Sequence, residues 1–265
     1  MAEITAKLVN ELRSKTGLGM MECKKALVEC AGDLEKTVDY FRKKGVKTSV
    51  TERAANEGRV LGVPSPDGKF AVLVEIKCNT DFAAQSELVT KVLQIGTAEL
   101  LKNPAAQLAD DAEIKELLVR AAQQTGENIQ LARTASLKTS GKIGVYNHYT
   151  GKVAVLVALT GSPSEELIKD LCLHITATRP LALTRDQISP ELVAKEKEIA
   201  VEQAKATGKP QVIAEKIAEG KMRVFFEEKV LLDQKFVKDD SKSITQLLTE
   251  AGCTLENYVR VEVGQ

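Results

Sequence analysis

Among 265 residues, the side chains best able to attack, ligate or shuttle protons are few: five cysteines and two histidines. Cys23, Cys30, Cys78, Cys172 and Cys253 are scattered, odd in number and without a CxxC pair. A zinc site or a disulfide framework needs paired spacing, so the pattern predicts free thiols, as in a reducing cytoplasm. His148 and His174 are too few for a His-rich metal centre, and no spacing recommends a Cys–His nucleophile. Cys78 follows Lys77 in an alternating run that puts the lysine on the opposite face, so no cation is expected beside the sulfur to lower its pKa. The inventory predicts a protein that holds no metal or cofactor and performs no covalent chemistry.

A carboxylate and an aromatic ring do stand side by side in Asn79-Thr80-Asp81-Phe82-Ala83-Ala84-Gln85, and the setting of that loop is a duplication. Gly68 to Val74 reads GKFAVLV and Gly151 to Val157 reads GKVAVLV. Each run follows a shorter β-like segment, Arg59 to Val63 or Ile143 to Tyr146, across turn residues, which signals a hairpin. Each is followed by a helix opening at Ser86-Glu87-Leu88-Val89 or Glu165-Glu166-Leu167-Ile168. Further on, a helix ending near Leu117-Leu118 leads to a strand at Glu127-Asn128-Ile129, and Leu247-Leu248 leads to Glu256-Asn257-Tyr258. Two hairpin, helix, helix, strand units are expected, the helices of each covering one face of a small antiparallel sheet.

The copies differ where the loop lies. Val74 pairs with Val157 at an offset of 83 and Leu88 with Leu167 at an offset of 79, so the first copy holds four extra residues. The second copy has only Thr160-Gly161-Ser162-Pro163 there. A loop enlarged on a rigid scaffold is expected to make a contact. Two placements of Phe82 are open: held out as a wedge for a partner, or folded back into the core, where aromatics are commonly found. Asp81, at the start of a helix, has capping as its ordinary role. The alignment sets His174 opposite Ile95 on the apolar side of its helix, which predicts a packed histidine. His148 falls in the turn Asn147-His148-Tyr149-Thr150 and is expected to be exposed.

Composition narrows the partner. With 37 basic and 37 acidic side chains, 4% aromatics and no Trp, the chain lacks the cationic surplus and stacking rings of a nucleic-acid binder. No apolar run is long enough for a signal peptide or a membrane span, so a cytoplasmic protein with no membrane contact is expected.

Length predicts more than one unit. Residues 1–45 read as three short helices: Ile4, Leu8, Val9 and Leu12 mark the first, broken by Gly17 and Gly19. Met20, Met21, Ala26 and Leu27 carry the second, with one methionine expected in the core. Val38 and Phe41 carry the third, capped by Asp33 and ended at Gly45. Residues 46–56 read as a linker, 57–140 as the first core copy, and 141–188 with 229–265 as the second. The second copy is interrupted at 189–228 by two charged helical patterns joined at Gly208-Lys209-Pro210, an inserted antiparallel helical hairpin. Val193, Ile199, Val201, Ile213 and Ile217 are its expected seam.

Three features taken together, TGLGMMECKKAL at Thr16 to Leu27, EIKCNTDFAA at Glu75 to Ala84, and the duplicated core with its inserted hairpin, make the sequence resemble bacterial translation elongation factor Ts over almost its whole length. That family exchanges nucleotide on the GTPase elongation factor Tu, releasing GDP so that GTP can enter. The resemblance implies an α+β fold: a ubiquitin-associated-like three-helix domain, a two-part antiparallel core and a coiled-coil arm. By motif, Thr80, Asp81, Phe82 and Ala83 match the segment that enters the partner's nucleotide domain and dislodges Mg²⁺. Met20, Met21 and Lys24 match the family's docking surface, Gly126 and Asn128 its turn before the third strand, and His148 a histidine of the second copy's partner contact. Many members continue beyond the position of Gln265 into a further helix that touches the partner; any such contact is expected to be absent or replaced here. Two other readings compete: an adaptor built on the three-helix unit alone, which leaves the TDFAA loop without a purpose, and a thiol enzyme using Cys78.

Overall fold

The computed structural model describes residues 4–16, 18–43, 55–206 and 211–265. The expected linker lies mostly outside them, as do the breaks assigned to Gly17 and Gly45 and the turn at Gly208-Lys209-Pro210. Among the described residues, ten α-helices and small antiparallel sheets form a mixed α/β architecture.

Helices α1 (Ala6–Thr16), α2 (Met20–Glu29) and α3 (Leu34–Lys43) share a core of Val9, Leu12, Cys23, Ala26, Leu27 and Phe41. Asp33 starts α3 as expected, its carboxylate accepting the Lys36 N–H at 3.1 Å. The expected core methionine is not there: Met20 is 49% and Met21 66% exposed. On a helix that buries Cys23, Ala26 and Leu27, positions 21, 24 and 28 fall away from the core, whereas Met20 lies at the edge of the buried side and is uncovered as the first residue of the helix.

Strands β1 (Glu57–Pro64), β2 (Phe70–Cys78) and β3 (Gln130–Lys138) form one antiparallel sheet, and β4 (Lys142–Asn147), β5 (Val153–Gly161) and β8 (Cys253–Glu262) the other. The central strands β2 and β5 are nearly continuous apolar runs because both of their faces are covered. Val72, Val74 and Ile76 pack under α5 (Glu87–Lys102) and α6 (Ala112–Thr125). Val155, Val157 and Leu159 pack under α7 (Glu165–Thr178) and α10 (Ile244–Glu250). The alternate residues Ala71, Leu73, Ala154, Leu156 and Ala158 meet between the sheets, giving four layers: helices, sheet, sheet, helices. Close approach of β1 to the other sheet requires Gly62, where a Cβ would lie 3.1 Å from Val145 Cγ1. The Asn147 side chain brackets that glycine, accepting its N–H at 2.7 Å and donating to its carbonyl at 2.9 Å.

The expected alignment of the third strands is corrected. Val74 faces Thr134 and Val157 faces Tyr258, an offset of 124, not the 129 obtained by matching Glu127-Asn128 with Glu256-Asn257. Both copies carry a bulge at the same place, between Glu75 and Ile76 and between Ala158 and Leu159. Glu127-Asn128-Ile129 is therefore loop, and α6 runs past Leu118, burying Ala121, until Gly126 at φ 70° ends it.

The insertion is two helices, α8 (Pro190–Lys205) and α9 (Gln211–Lys229), packed along each other. Its seam is also corrected. Its buried positions are Ala200, Ala204, Ala214 and Ala218; of the expected seam, Val193, Val201 and Ile217 are half-buried, while Ile199 and Ile213 are exposed. Alanines at a spacing of four form one stripe per helix and admit close helix approach, which bulkier side chains would prevent. At the base, Leu192, Val193, Phe225 and Phe226 pack on Ala182, Ile188 and Val230. The short strands β6 (Lys235–Phe236) and β7 (Asp239–Ser243) follow the insertion.

Candidate partner-binding surface

The four extra residues of the first copy become a single helical turn, α4 (Asp81–Ala84). Thr80 is its N-cap: the backbone there is extended and Oγ1 accepts the Ala83 N–H at 3.3 Å. Capping is thus done by Thr80, and Asp81 is left exposed. Ala83 and Ala84 enter the core beside Cys78 and Val89, so on so short a turn the two preceding residues must point away. Phe82 is 85% exposed, which removes the core placement. Ala83, at 2% exposure, offers no surface; its methyl anchors the turn.

The loop after α6 lies against this turn. Glu127 Oε2 accepts the Asn79 N–H at 3.2 Å and the Thr80 N–H at 3.0 Å, and Oε1 accepts the Thr80 hydroxyl at 2.6 Å. The Asn128 N–H donates to Asn79 Oδ1 at 2.8 Å, and the Asn128 side chain is buried. Gly126 and Asn128 are thereby brought to the candidate loop, with Asn128 supporting it from inside. Sequence reasoning missed Glu127 by assigning it to a strand.

The turn between β4 and β5 carries His148, whose Nδ1 lies 2.8 Å from Thr150 Oγ1. Beside it Tyr149 is 91% exposed, its ring 4.4 Å from the imidazole. The next basic residue joins this turn to the first copy. Lys152 pairs with Glu57 at 2.6 Å. That hydrogen bond, aided by the more distant Asp81 carboxylate, raises the pKa of the lysine. Tyr149 was not singled out from sequence; its place in a polar turn beside a histidine was the available signal. Met20, Met21 and Lys24 form an exposed stripe on the three-helix unit, continued by Val28.

Cys78 is a poor nucleophile. Burial, reinforced by the Glu127 carboxylate, pushes its pKa up to about 11, and its S–H donates to the Thr80 carbonyl at 3.0 Å. Among the described residues no cluster of His, Cys, Asp and Glu could hold a metal ion, and no helix is long and apolar enough to cross a membrane.

Residues 76–265 match the protein-family model described as elongation factor TS. Elongation factor Ts of Hyphomonas neptunium is 40% identical over 282 residues, covering 100% of this chain and 93% of the relative. Elongation factor Ts of Sodalis glossinidius is 40% identical over 277 residues, again with 100% and 93% coverage. The chain belongs to the elongation factor Ts family. Membership places it among the elongation factors of protein biosynthesis. The motif that carried the resemblance, EIKCNTDFAA, is the segment that forms the end of β2 and the exposed turn.

Proposed function

We propose that the protein is the guanine nucleotide exchange factor of elongation factor Tu, acting in the cytoplasm by binding and without covalent chemistry. The observation that carries this reading is Phe82, displayed at 85% exposure on a turn whose neighbours are tied into the core. Tight GDP binding by a GTPase depends on Mg²⁺ bridging phosphate oxygens and on backbone amides around the phosphates. The Phe82 ring would wedge between elements of the partner's nucleotide domain while Asp81 disturbs the groups around the metal. The nucleotide-free partner is then bound better than the GDP complex, and by linkage GDP weakens the factor as much as the factor weakens GDP.

In this reading Thr80 and Ala83 set the turn, and Gly126 and Asn128 brace it. His148 contacts the partner from the second copy. Residues 1–45 form a ubiquitin-associated-like docking domain that offers Met20, Met21 and Lys24, with 46–56 as its linker. Flexible, polarizable methionines suit such a surface. The core copies occupy 57–140 and 141–188 with 229–265, and 189–228 is a coiled-coil arm. The test is release of a fluorescent GDP analogue from purified elongation factor Tu with and without this protein. Acceleration by catalytic amounts supports the reading, and an unchanged rate refutes it.

A further inference from the structure

A four-residue helix cannot hold its own direction, since one turn fixes several dihedrals for a single hydrogen bond. On its inner side α4 has only the methyls of Ala83 and Ala84. Its direction therefore depends on its cap, and the cap depends on another residue. The Thr80 hydroxyl has one hydrogen, and it donates that hydrogen to Glu127 Oε1 at 2.6 Å, which turns a lone pair toward the Ala83 N–H at 3.3 Å. The other carboxylate oxygen holds the Asn79 and Thr80 N–H groups. Glu127 is itself fixed, between the left-handed Gly126 that ends α6 and the Asn128 N–H bonded to Asn79. The second copy, with no enlarged loop, has no need of such a device: β5 and β8 pair out to Gly161 and Cys253.

We propose that Glu127 is a positioning residue for exchange, a carboxylate clamp that presets the turn so that Asp81 and Phe82 meet the partner already aimed. The proposal rests on the exchange reading and deepens it. Hydrogen bonds to a charged acceptor are the stronger kind, and three of them converge on this side chain. A turn ordered beforehand spares the complex the entropy of ordering it on contact.

Two measurements on the full chain test it. In the free protein, Glu127→Ala is expected to speed hydrogen exchange at the Asn79, Thr80 and Ala83 amides while the β2 amides stay protected. With elongation factor Tu present, saturating Glu127→Ala should release GDP roughly ten- to a hundredfold more slowly than the parent, the scale of a misplaced reacting group. Glu127→Gln, which preserves volume and one acceptor oxygen, should fall between and serves if the alanine variant folds poorly. Because Glu127 acts through Asp81 and Phe82, the double variant with Phe82→Ala should lose less than the product of the two single losses. Unchanged amide exchange, or losses that multiply in the double variant, would overturn the clamp. If the unmodified protein fails to accelerate GDP release, the exchange reading falls and the amide measurement alone decides whether Glu127 sets the turn.

Discussion

His174 Nε2 and Gln234 Oε1 lie 2.9 Å apart, with both residues buried. On the other side of the ring, Nδ1 accepts the Val237 N–H at 3.2 Å, so the imidazole is neutral with its proton on Nε2. Gln234 also accepts the Thr178 hydroxyl at 2.9 Å and donates to the Glu228 carbonyl at 2.6 Å. The network ties α7 to the chain as it leaves the inserted helices, and burial lowers the His174 pKa below its ordinary 6.5.

That shift makes stability fall on acidification. Below 6.5 the unfolded chain takes up a proton that the folded ring resists, so the contribution of His174 is complete above that pH and erodes as pH drops toward the folded value. The advantage in urea of the parent over His174→Asn should therefore be larger at about pH 7.5 than at about pH 5. An advantage independent of pH would contradict this.

Phe82→Ala should leave the unfolding midpoint nearly unchanged, within ~0.5 kcal/mol, because the ring is exposed. Binding to elongation factor Tu should weaken by ~2 kcal/mol, the scale of an aromatic hot spot. Denaturant titration and calorimetry on one preparation separate the two effects; a loss confined to stability would remove the wedge.

Asp81→Ala and Thr80→Val should behave oppositely in stability. The valine variant loses the cap and the hydroxyl link to Glu127, costing ~1 kcal/mol in urea unfolding, whereas the alanine variant loses neither. Slower GDP release with unchanged stability is the result expected of Asp81→Ala, and full exchange activity would take Asp81 out of the mechanism.

Shortening the inserted helices at 196–221, with a short loop in their place, should leave the main thermal transition where it is. Removing 189–228 entirely should cost at least ~1 kcal/mol, because Val193, Phe225 and Phe226 leave the apolar patch of Ile188 and Val230. Equal stability of the two deletions would show that the base contributes nothing.

Thiol labelling near neutral pH should modify Cys30, which is half-exposed, long before Cys78, whose buried thiol titrates near pH 11. Fast labelling of Cys78 would show that the turn opens.

The duplicated frame was legible because GKFAVLV and GKVAVLV keep their register on the strands that everything else packs against. The packed His174 was legible from its alignment with Ile95. The third strands were misaligned because a chance Glu-Asn match stood nearby, five residues out of the true register, and Glu127-Asn128 belongs to the loop before β3. The helical seam was misread because isoleucine and valine attract attention, whereas the closeness of two helices is set by alanine. Residue types could not decide whether Phe82 faces in or out. That depended on which side of one turn Ala83 and Ala84 occupy, and on a glutamate distant in sequence.

The two sheets stacked on each other give the molecule the internal plan of a dimer whose subunits were joined into one polypeptide. Identical subunits obey symmetry, so a wedge grown on one would appear on both, as would any inserted arm. Joining them lifts that constraint. Here one half carries α4 and its glutamate, and the other carries α8 and α9. Each half could thus specialise while their shared interface, through Leu73 and Leu156, continued to demand that both fold together.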